Sequence, residues 1–418
     1  MSVVATTLDK FSVSIIKNGL ELLFQQSDII ELNIFEDIFD FSMTGMLKFY
    51  DKTGYTEKLE LTGHDVVVVT YMVENNQVKK MFVVYDFNRV NSEVQGASII
   101  QLSTWYLVEP YFMSLTNRRY SKSWANKTGS DIISDISRNM LGIEKFKYFE
   151  AANERLETFC MPYWTPAETI KWIMRRLSGV ESKAPGYLFY SNKYGINFIT
   201  LESLINKKDR EKDNNGNNVK YILSGGEDDY SKIISWSLNP TDLHSTKYLA
   251  GTTKYGYNSK TKDIYQQKYK YKDAINKFSL LGSSALFPDM SDTTPTISIE
   301  GESDPKLIDN IFYGDFIKRY SKQFSASIVV RGHSRRYAGM LVDMVWKSAD
   351  EKSITNKMLD GLFLVRSITH QFTTGGIVTP NYRQLMVCLK IGYGSTNYKQ
   401  LLKANKVIRD TQIMAGNK

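Results

Sequence analysis

Cysteine is scarce in this sequence, where Cys160 and Cys388 are the only two in 418 residues. Two thiols in different segments exclude the disulfide framework of a small secreted protein and predict a reducing compartment. The first residues, MSVVATTLDKFSV, lack the basic start and apolar run of a secretory signal. No apolar run approaches the roughly 18 residues of a bilayer-spanning helix. We therefore expect neither secretion nor a membrane span.

Histidine is scarce as well, and its copies are far apart: His64, His244, His333 and His370. None of them belongs to an HExxH or CxxC-type metal motif, and the chain has no GxSxG elbow and no glycine-rich phosphate loop ending in Lys-Ser or Lys-Thr. His333 precedes Ser334, but neighbours on a strand point to opposite faces and cannot share a proton. His370 lies in a strand pattern, which favours a packed or surface histidine. We predict no catalytic residue, no metal site and no cofactor.

Proline is rare while β-forming aromatic residues are common, with nine Pro against 26 Tyr and 21 Phe, which favours β structure. Residues 24–71 have the pattern of an antiparallel meander. Ile30, Leu32 and Ile34 alternate with polar residues as on a half-buried strand, and 51–54 has turn chemistry. Further strand patterns cover 78–90 and 98–108. Together they predict a small barrel or sandwich that closes near residue 110.

The period of the apolar residues then changes and predicts helices. One helix is expected between Ser130, as N-cap, and Gly142, as C-terminal stop. A second begins at Thr165-Pro166-Ala167-Glu168, which combines a capping box with proline at the first helical position, and ends at Gly179. A hairpin follows over 187–201. The segment 116–206 is therefore expected to be a small α/β domain.

Residues 207–218, KKDREKDNNGNN, form a polar stretch that is predicted to be a mobile loop. A calcium loop is excluded there, because its final bidentate acid would fall on Ile222. Over 248–272 tyrosine and lysine interleave, which favours an exposed antiparallel hairpin over a stacking surface for single-stranded nucleic acid. The formal net charge of +8 leaves two interpretations open. It marks either a polyanion-binding surface or, as we favour, basic residues spread over exposed strands.

Three segments resemble one known family. LNIFEDIFDFSMTGMLKFYD followed by LELTGHDVVVVTY is similar to the first tube domain of the baseplate hub proteins of contractile-tailed phages, the T4-type hub family, and to the N-terminal part of type VI secretion spike proteins. FCMPYWTPAETIKWIMRR leading to GYLFYSNKYGINFITLESL is similar to the second domain of that family. A helix over 305–324 followed by SIVVRG, AGMLVDMVW, GLFLVRSITHQF and YRQLMVCLKI resembles its second tube domain, and this third match is the most specific.

The resemblance implies an α+β, mainly β fold. It comprises two similar small antiparallel β-barrel (tube) domains, a small α/β domain and an inserted β-rich segment. The expected division of the chain is 1–115 for the first tube-like β-barrel domain, 116–206 for the small α/β domain, 207–232 for a polar loop and linker, 233–396 for the second tube-like β-barrel domain with an insertion at about 240–303, and 397–418 for a C-terminal helical tail.

The resemblance also implies a structural, non-enzymatic baseplate hub. If the two β domains are duplicates, a homotrimer presents six similar units and joins a six-fold tail tube to a three-fold spike. The implied partners are the tail tube or its initiator protein, the central spike, other baseplate (wedge) proteins, and DNA that passes through the lumen without sequence-specific binding. Stable membrane insertion is not expected. The implied location is the virion tail baseplate, assembled in the host cytoplasm.

Two alternatives stay open. A tailocin or type VI-like injection machine would use the same architecture. Spike proteins of that kind continue into an OB-like domain and a β-helix needle, whereas this sequence stops soon after its last hub strand. This difference favours a phage or a phage-derived tail. The alternative of another class is a cell-wall hydrolase or carbohydrate-binding tail protein. A hydrolase needs two carboxylates that flank a cleft. Here Glu36-Asp37 fits a turn and Asp228-Asp229 fits a polar loop.

Overall fold

The structure is a computed structural model, and most of the chain is described in it. The expected helical tail over 397–418 and the acidic pair Asp228-Asp229 lie outside the described residues, as does most of the insertion. The described residues are 6–52, 54–94, 98–212, 216, 218–223, 230–240, 252–257, 261–269, 296–300, 304–322, 324–346, 361–374 and 380–391.

The first β unit is an antiparallel sheet that packs an apolar core. At its centre Phe24 and Phe49 meet the ring of Trp105 edge to face, at 5.5 and 5.0 Å between centroids, an arrangement that aromatic pairs prefer. Its elements are β1 (Thr6–Thr7), β2 (Lys10–Lys17), β3 (Leu20–Leu23), β4 (Ile29–Asp37), β5 (Thr44–Tyr50), α1 (Tyr55–Lys58), β6 (Val66–Val73), β7 (Asn76–Val94) and β8 (Ser98–Val108).

A small α/β unit follows, and capping residues set where its helices begin. The predicted capping box of Thr165 and Glu168 is confirmed, but the first long helix is capped by Thr128 rather than Ser130, because the Thr128 hydroxyl accepts the N–H of Asp131 at 3.1 Å. The elements are α2 (Phe112–Thr116), β9 (Tyr120–Thr128), α3 (Gly129–Leu141), β10 (Phe146–Phe149), β11 (Arg155–Trp164), α4 (Pro166–Met174), β12 (Tyr187–Asn192), β13 (Gly195–Thr200) and α5 (Leu201–Asn206).

The back half of the chain contains the second β unit and the inserted strands. One strand was missed by the sequence prediction of a polar loop and linker over 207–232, since residues 220–223 form a strand in which Tyr221 is fully buried. The elements are β14 (Lys220–Leu223), β15 (Lys232–Pro240), β16 (Thr252–Tyr257), β17 (Ile264–Lys268), β18 (Thr296–Glu300), α6 (Pro305–Ser321), β19 (Phe324–Arg331), β20 (Leu341–Trp346), β21 (Gly361–Thr373) and β22 (Asn381–Lys390).

The second β unit is a closed barrel, because its six strands hydrogen-bond in the cyclic order β22, β19, β15, β14, β20, β21 and back to β22. The missed strand β14 pairs in parallel with both β15 and β20 and so completes the closure.

In the insertion, β16 and β17 pair antiparallel, which confirms the predicted hairpin over this part of the Lys/Tyr-rich segment. The predicted fold class, α+β and mainly β, is confirmed.

The two β units have the same strand order. If the six main strands of each unit are numbered along the chain, the neighbours run second, third, sixth, fifth, fourth, first in both: β4, β5, β8, β7, β6, β2 and then β15, β19, β22, β21, β20, β14. Only the first strand differs in direction, since β2 is antiparallel to β6 whereas β14 is parallel to β20. The chain therefore contains one β architecture twice.

Irregularities in the ladders match as well. The ladder of β4 with β5 skips Ile30, and the ladder of β15 with β19 skips Ile234. In the same way β7 skips Tyr85 against β8, and β21 skips Arg366 against β22. A β-bulge inserts one extra residue and bends its strand. Bulges at equivalent positions give a residue-by-residue alignment of the two units that sequence similarity does not provide.

The two units are joined edge to edge within the chain. The second half of β21, Ser367–Thr373, pairs antiparallel with β4 over Glu31–Asp37, and β22 pairs with β1. One continuous sheet therefore runs through both units.

Within the described residues, no helix is long and apolar enough to cross a bilayer.

Candidate functional site

A cluster of buried charged and polar side chains lies where the two β units meet the β12–β13 hairpin. Its members come from five places: the end of β4, the hairpin, the segment before β14, the loop 332–340, and the paired strands β21 and β22. Buried charge is costly unless it is paired and hydrogen-bonded, so such a cluster constrains how the units pack. We call it the junction network, and its members are Glu36, Lys193, Glu211, His333, Arg336, His370, Tyr382 and Gln384.

Glu36 connects all three units and is only 1% exposed. Its Oε1 accepts the backbone N–H of Lys193 at 3.0 Å, and its Oε2 accepts the backbone N–H of Ala338 at 2.8 Å. Nε2 of His370 lies 3.4 Å from Oε1 in an ion-pair arrangement. Burial raises the pKa of Glu36, but the interactions with His370, Ala338 and Lys193 outweigh burial and hold the pKa below its usual value. Glu36 is therefore ionised at neutral pH.

Lys193 places an ammonium group inside the same junction. Its Nζ donates a hydrogen bond to the carbonyl oxygen of Ser334 in the second β unit. Burial lowers the pKa of Lys193 to about 7, against the opposing effect of the charges on Glu36 and Glu211. The hairpin is thus held to the barrel through a lysine whose charge is only partly retained near neutral pH.

Arg336 is fully buried, and its guanidinium binds three different segments. Nε donates to Oε2 of Glu211 at 3.1 Å, Nη1 to Oε1 of Gln384 at 3.0 Å, and Nη2 to the carbonyl oxygen of Tyr230 at 2.7 Å. Burial raises the pKa of Glu211, but the charge of Arg336 and a hydrogen bond from Tyr221 leave it below its usual value. This pair fixes the loop before β14 against the barrel, because a guanidinium offers several donors in a rigid plane.

The remaining members form a chain of hydrogen bonds between β21, β22 and the loop 332–340. Nδ1 of His370 lies 2.7 Å from the hydroxyl oxygen of Tyr382. Nε2 of Gln384 donates to that same oxygen at 2.8 Å and to the carbonyl oxygen of His333 at 2.9 Å. His370 and Gln384 are both fully buried, so the polar chain is part of the packed interior.

This arrangement is suited to positioning the three units rather than to turnover. A general acid or base must reach a substrate proton, whereas Glu36, Arg336 and His370 lie in the interior and their partners are protein groups. No group of three or more metal-ligating side chains occurs in the part of the chain that the structure describes. We infer that the junction network specifies the packing of the units.

Three sequence interpretations are corrected by this geometry. Glu36 does not lie in a solvated turn but is a buried residue at the end of β4. Glu211, in the stretch predicted to be a mobile loop, has a side chain only 5% exposed. His333 and Ser334 follow β19 in a loop rather than on a strand, and the Ser334 hydroxyl donates to the carbonyl oxygen of Val73 at 3.2 Å. His370 is packed in the core, in line with the favoured interpretation.

One signal in the sequence could have located part of the network. Glu36 is in phase with Leu32 and Ile34 on the buried face of β4, and His370 is in phase with Ile368 and Phe372 on β21. A polar residue on the apolar face of a strand pattern must find a buried partner. No comparable signal marks Glu211, whose partner Arg336 is distant in sequence.

Comparisons with known proteins place the fold. The chain is similar to the tail protein from Neisseria meningitidis MC58, with 10% identity over 91% of this chain and 96% of that chain and a TM-score of 0.57. It is also similar to the 43 kDa tail protein of prophage MuSo2 from Shewanella oneidensis, with 14% identity over 91% of this chain and 98% of that chain and a TM-score of 0.57.

A third similarity is to the Francisella PdpA-VgrG complex, with 11% identity over 93% of this chain and 55% of that chain and a TM-score of 0.50. No protein-family model and no curated protein matches the sequence. At these identities the similarities establish the fold, and the resemblance expected from the sequence is confirmed at that level.

Proposed function

We propose that this chain is a structural component of a phage tail, the baseplate hub that joins the tail tube to the central spike. The fold shared with two tail proteins supports a role in the tail. The observation that carries the hub assignment is the internal duplication, with two β units of identical strand order and equivalent bulges in one chain. In this role the chain binds other baseplate proteins and performs no reaction.

The duplication gives the proposal its geometry. A chain with two equivalent units presents six units when three copies close around an axis. Such a homotrimer would be six-fold towards a tail tube and three-fold towards a spike. Its lumen would allow DNA to pass without sequence-specific contacts. The proposed location is the virion baseplate.

The test is the mass and shape of the purified chain. Sedimentation equilibrium is expected to give three times the mass of one chain, alone or with its spike protein, and electron microscopy a ring. A chain that stays monomeric under both conditions would refute the proposal. A zymogram against bacterial cell walls is expected to show no clearing, and clear lysis would replace the hub assignment by a hydrolase.

A second candidate is the hub part of a tailocin or type VI-like injection machine. The similarity to the PdpA-VgrG complex favours keeping it, because that match covers 93% of this chain. The chain organisation and the ring would be the same in both machines. The neighbouring genes distinguish them, since a phage hub lies among capsid and DNA-packaging genes.

A further inference from the structure

The turn of the β12–β13 hairpin, residues 191–194, is inserted where the two β units meet, and we call it the hairpin tip. Two of its contacts are to the first β unit. The Ser191 hydroxyl donates to Oε1 of Glu109 at 2.8 Å, just after β8. The backbone N–H of Lys193 donates to Glu36 at the end of β4. One side of the hairpin tip is therefore held by carboxylates of the first unit.

The other side of the hairpin tip is held by the loop 332–340 of the second β unit. The Asn192 amide donates to the carbonyl oxygen of Ala338 at 3.2 Å. The Lys193 ammonium group donates to the carbonyl oxygen of Ser334. Because the acceptors in this loop are neutral carbonyl groups, the charge on Lys193 is not neutralised by the group that it binds.

The junction network contains more basic groups than buried carboxylates. Its basic members are Lys193, His333, Arg336 and His370, whereas its carboxylates are Glu36 and Glu211. Arg336 is paired with Glu211 at 3.1 Å, so Glu36 is the buried carboxylate that remains for Lys193 and the two imidazoles. Each further proton taken up by the network adds positive charge to the interior, where unpaired charge is costly.

Other charged and titratable groups surround these basic groups. They are Tyr71 of β6, Glu74 of the turn before β7, the 3.9 Å ion pair of Lys80 with Glu109, Lys147 of β10, Asp209 of the segment after α5, Tyr230 before β15, Arg335 and Tyr337 of the loop 332–340, Tyr194 of the hairpin tip and Tyr382 of β22. Their acids and permanent cations are equal in number. With Lys193 charged, the whole set is therefore balanced, and a proton on an imidazole gives it a net positive charge.

We propose that the hairpin tip is a proton-controlled latch: proton uptake by the junction network releases the tip from the loop 332–340 while both β units stay folded. Each β unit has its own apolar core, and the ladder of β4 with β21 keeps the units joined. The tip itself is a turn in which Tyr194 is 48% exposed, and local opening begins at such segments. Buried imidazoles act as switches of this kind because acid charges them. The latch operates in this chain whether or not the chain is a hub.

Two groups set the pH range of the release. Burial lowers the pKa of Lys193 from 10.5 to about 7, so between these values the released tip binds more protons and release is favoured as the pH falls. Burial and the charge of Arg336 lower the pKa of His333 below its usual 6.5, against the opposing charge of Glu211, which favours release again below pH 6.5. The released fraction is therefore expected to grow in two steps as the pH falls.

Amide hydrogen exchange followed by mass spectrometry tests the release. The backbone N–H groups of Lys193 and Ala338 are bound to Glu36 only while the tip is docked. Peptides covering 187–200 and 332–340 are followed from about pH 8.5 to about pH 5, and each rate is divided by the intrinsic rate of an unstructured amide at that pH. Protection is expected to fall by up to about tenfold per pH unit for each proton taken up, whereas peptides from β5 and β19 are expected to keep theirs.

Single variants assign the two steps. Lys193→Met keeps an apolar side chain and removes the charge, so the step above pH 7 is expected to disappear while the lower one remains. His333→Asn keeps an acceptor for the backbone N–H of Arg335, which Nδ1 of His333 accepts at 3.2 Å, and is expected to remove the lower step alone. The matched control is His64→Asn, at an exposed histidine, which is expected to leave both steps unchanged.

The profile of the unmodified chain decides the proposal even if a variant does not fold. Constant protection of the two junction peptides over this pH range would overturn the latch. A loss of protection that β5 and β19 share would also overturn it, because that pattern is unfolding of the β units. Steps that persist unchanged in both Lys193→Met and His333→Asn would show that other groups take up the protons and would overturn the assignment to the junction network.

Discussion

Replacement of Glu36 by alanine is expected to lower the free energy of unfolding by about 3–6 kcal/mol. The buried backbone N–H groups of Lys193 and Ala338 lose the carboxylate that accepts them, and each unsatisfied buried donor costs about 1–3 kcal/mol. The buried ammonium group of Lys193 also loses the nearby charge of Glu36. Removing one member of a buried charge pair costs about 3–5 kcal/mol by itself. The two effects overlap, since the same carboxylate serves both. Glu36→Gln keeps the shape and one acceptor, so a smaller loss is expected.

The assay is equilibrium urea unfolding followed by tryptophan fluorescence. Trp105 reports on the first β unit and Trp124 on the α/β unit, since both are buried there. The control is Asp315→Asn, which weakens a 2.9 Å ion pair with Arg175 between partly exposed side chains and is expected to cost less than about 1 kcal/mol. A loss for Glu36→Ala no larger than that of the control would refute the role of the junction network.

Two further predictions concern single residues. Folding lowers the pKa of Lys193 from 10.5 to about 7, so between those pH values the unfolded chain holds more protons and the free energy of unfolding rises with pH. Lys193→Met is expected to remove up to about 1.4 kcal/mol of that rise per pH unit. An unchanged dependence of the unfolding midpoint on pH would contradict this prediction. Gly339 and Gly142 both have positive φ, of +98° and +70°, but a Cβ on Gly339 would clash with the hydroxyl oxygen of Tyr190, whereas one on Gly142 would have no neighbour within 4 Å. Gly339→Ala is therefore expected to lower the midpoint of thermal unfolding more than Gly142→Ala. Equal shifts would contradict the role assigned to the packing around Gly339.

The strands and helices were predicted where local pattern decides the structure. Alternation of apolar and polar residues located β4, and the box of Thr165 and Glu168 located α4, because period and capping are properties of neighbouring residues. β14 was missed because it is short and follows a polar stretch, and it is a strand only through its neighbours β15 and β20. Tertiary pairing there overrides local composition.

The junction network and the duplication were beyond the reach of sequence patterns. Glu36, Lys193 and Ala338 are distant along the chain, and only folding brings them together. The two β units were suspected to be copies through a family resemblance, yet equivalent positions hold residues as different as Leu32 and Trp236. The order of the strands and the positions of the bulges are the features that the copies retain. Backbone geometry tolerates such exchange as long as the apolar pattern is kept.

End-on electron-microscopy images of the purified chain, alone and with its spike protein, test the central claim most directly. The proposed hub predicts class averages with six lobes around an open centre, related by three-fold symmetry, in which each chain contributes two adjacent lobes. Single two-lobed particles under both conditions, or open filaments of lobes, would contradict it.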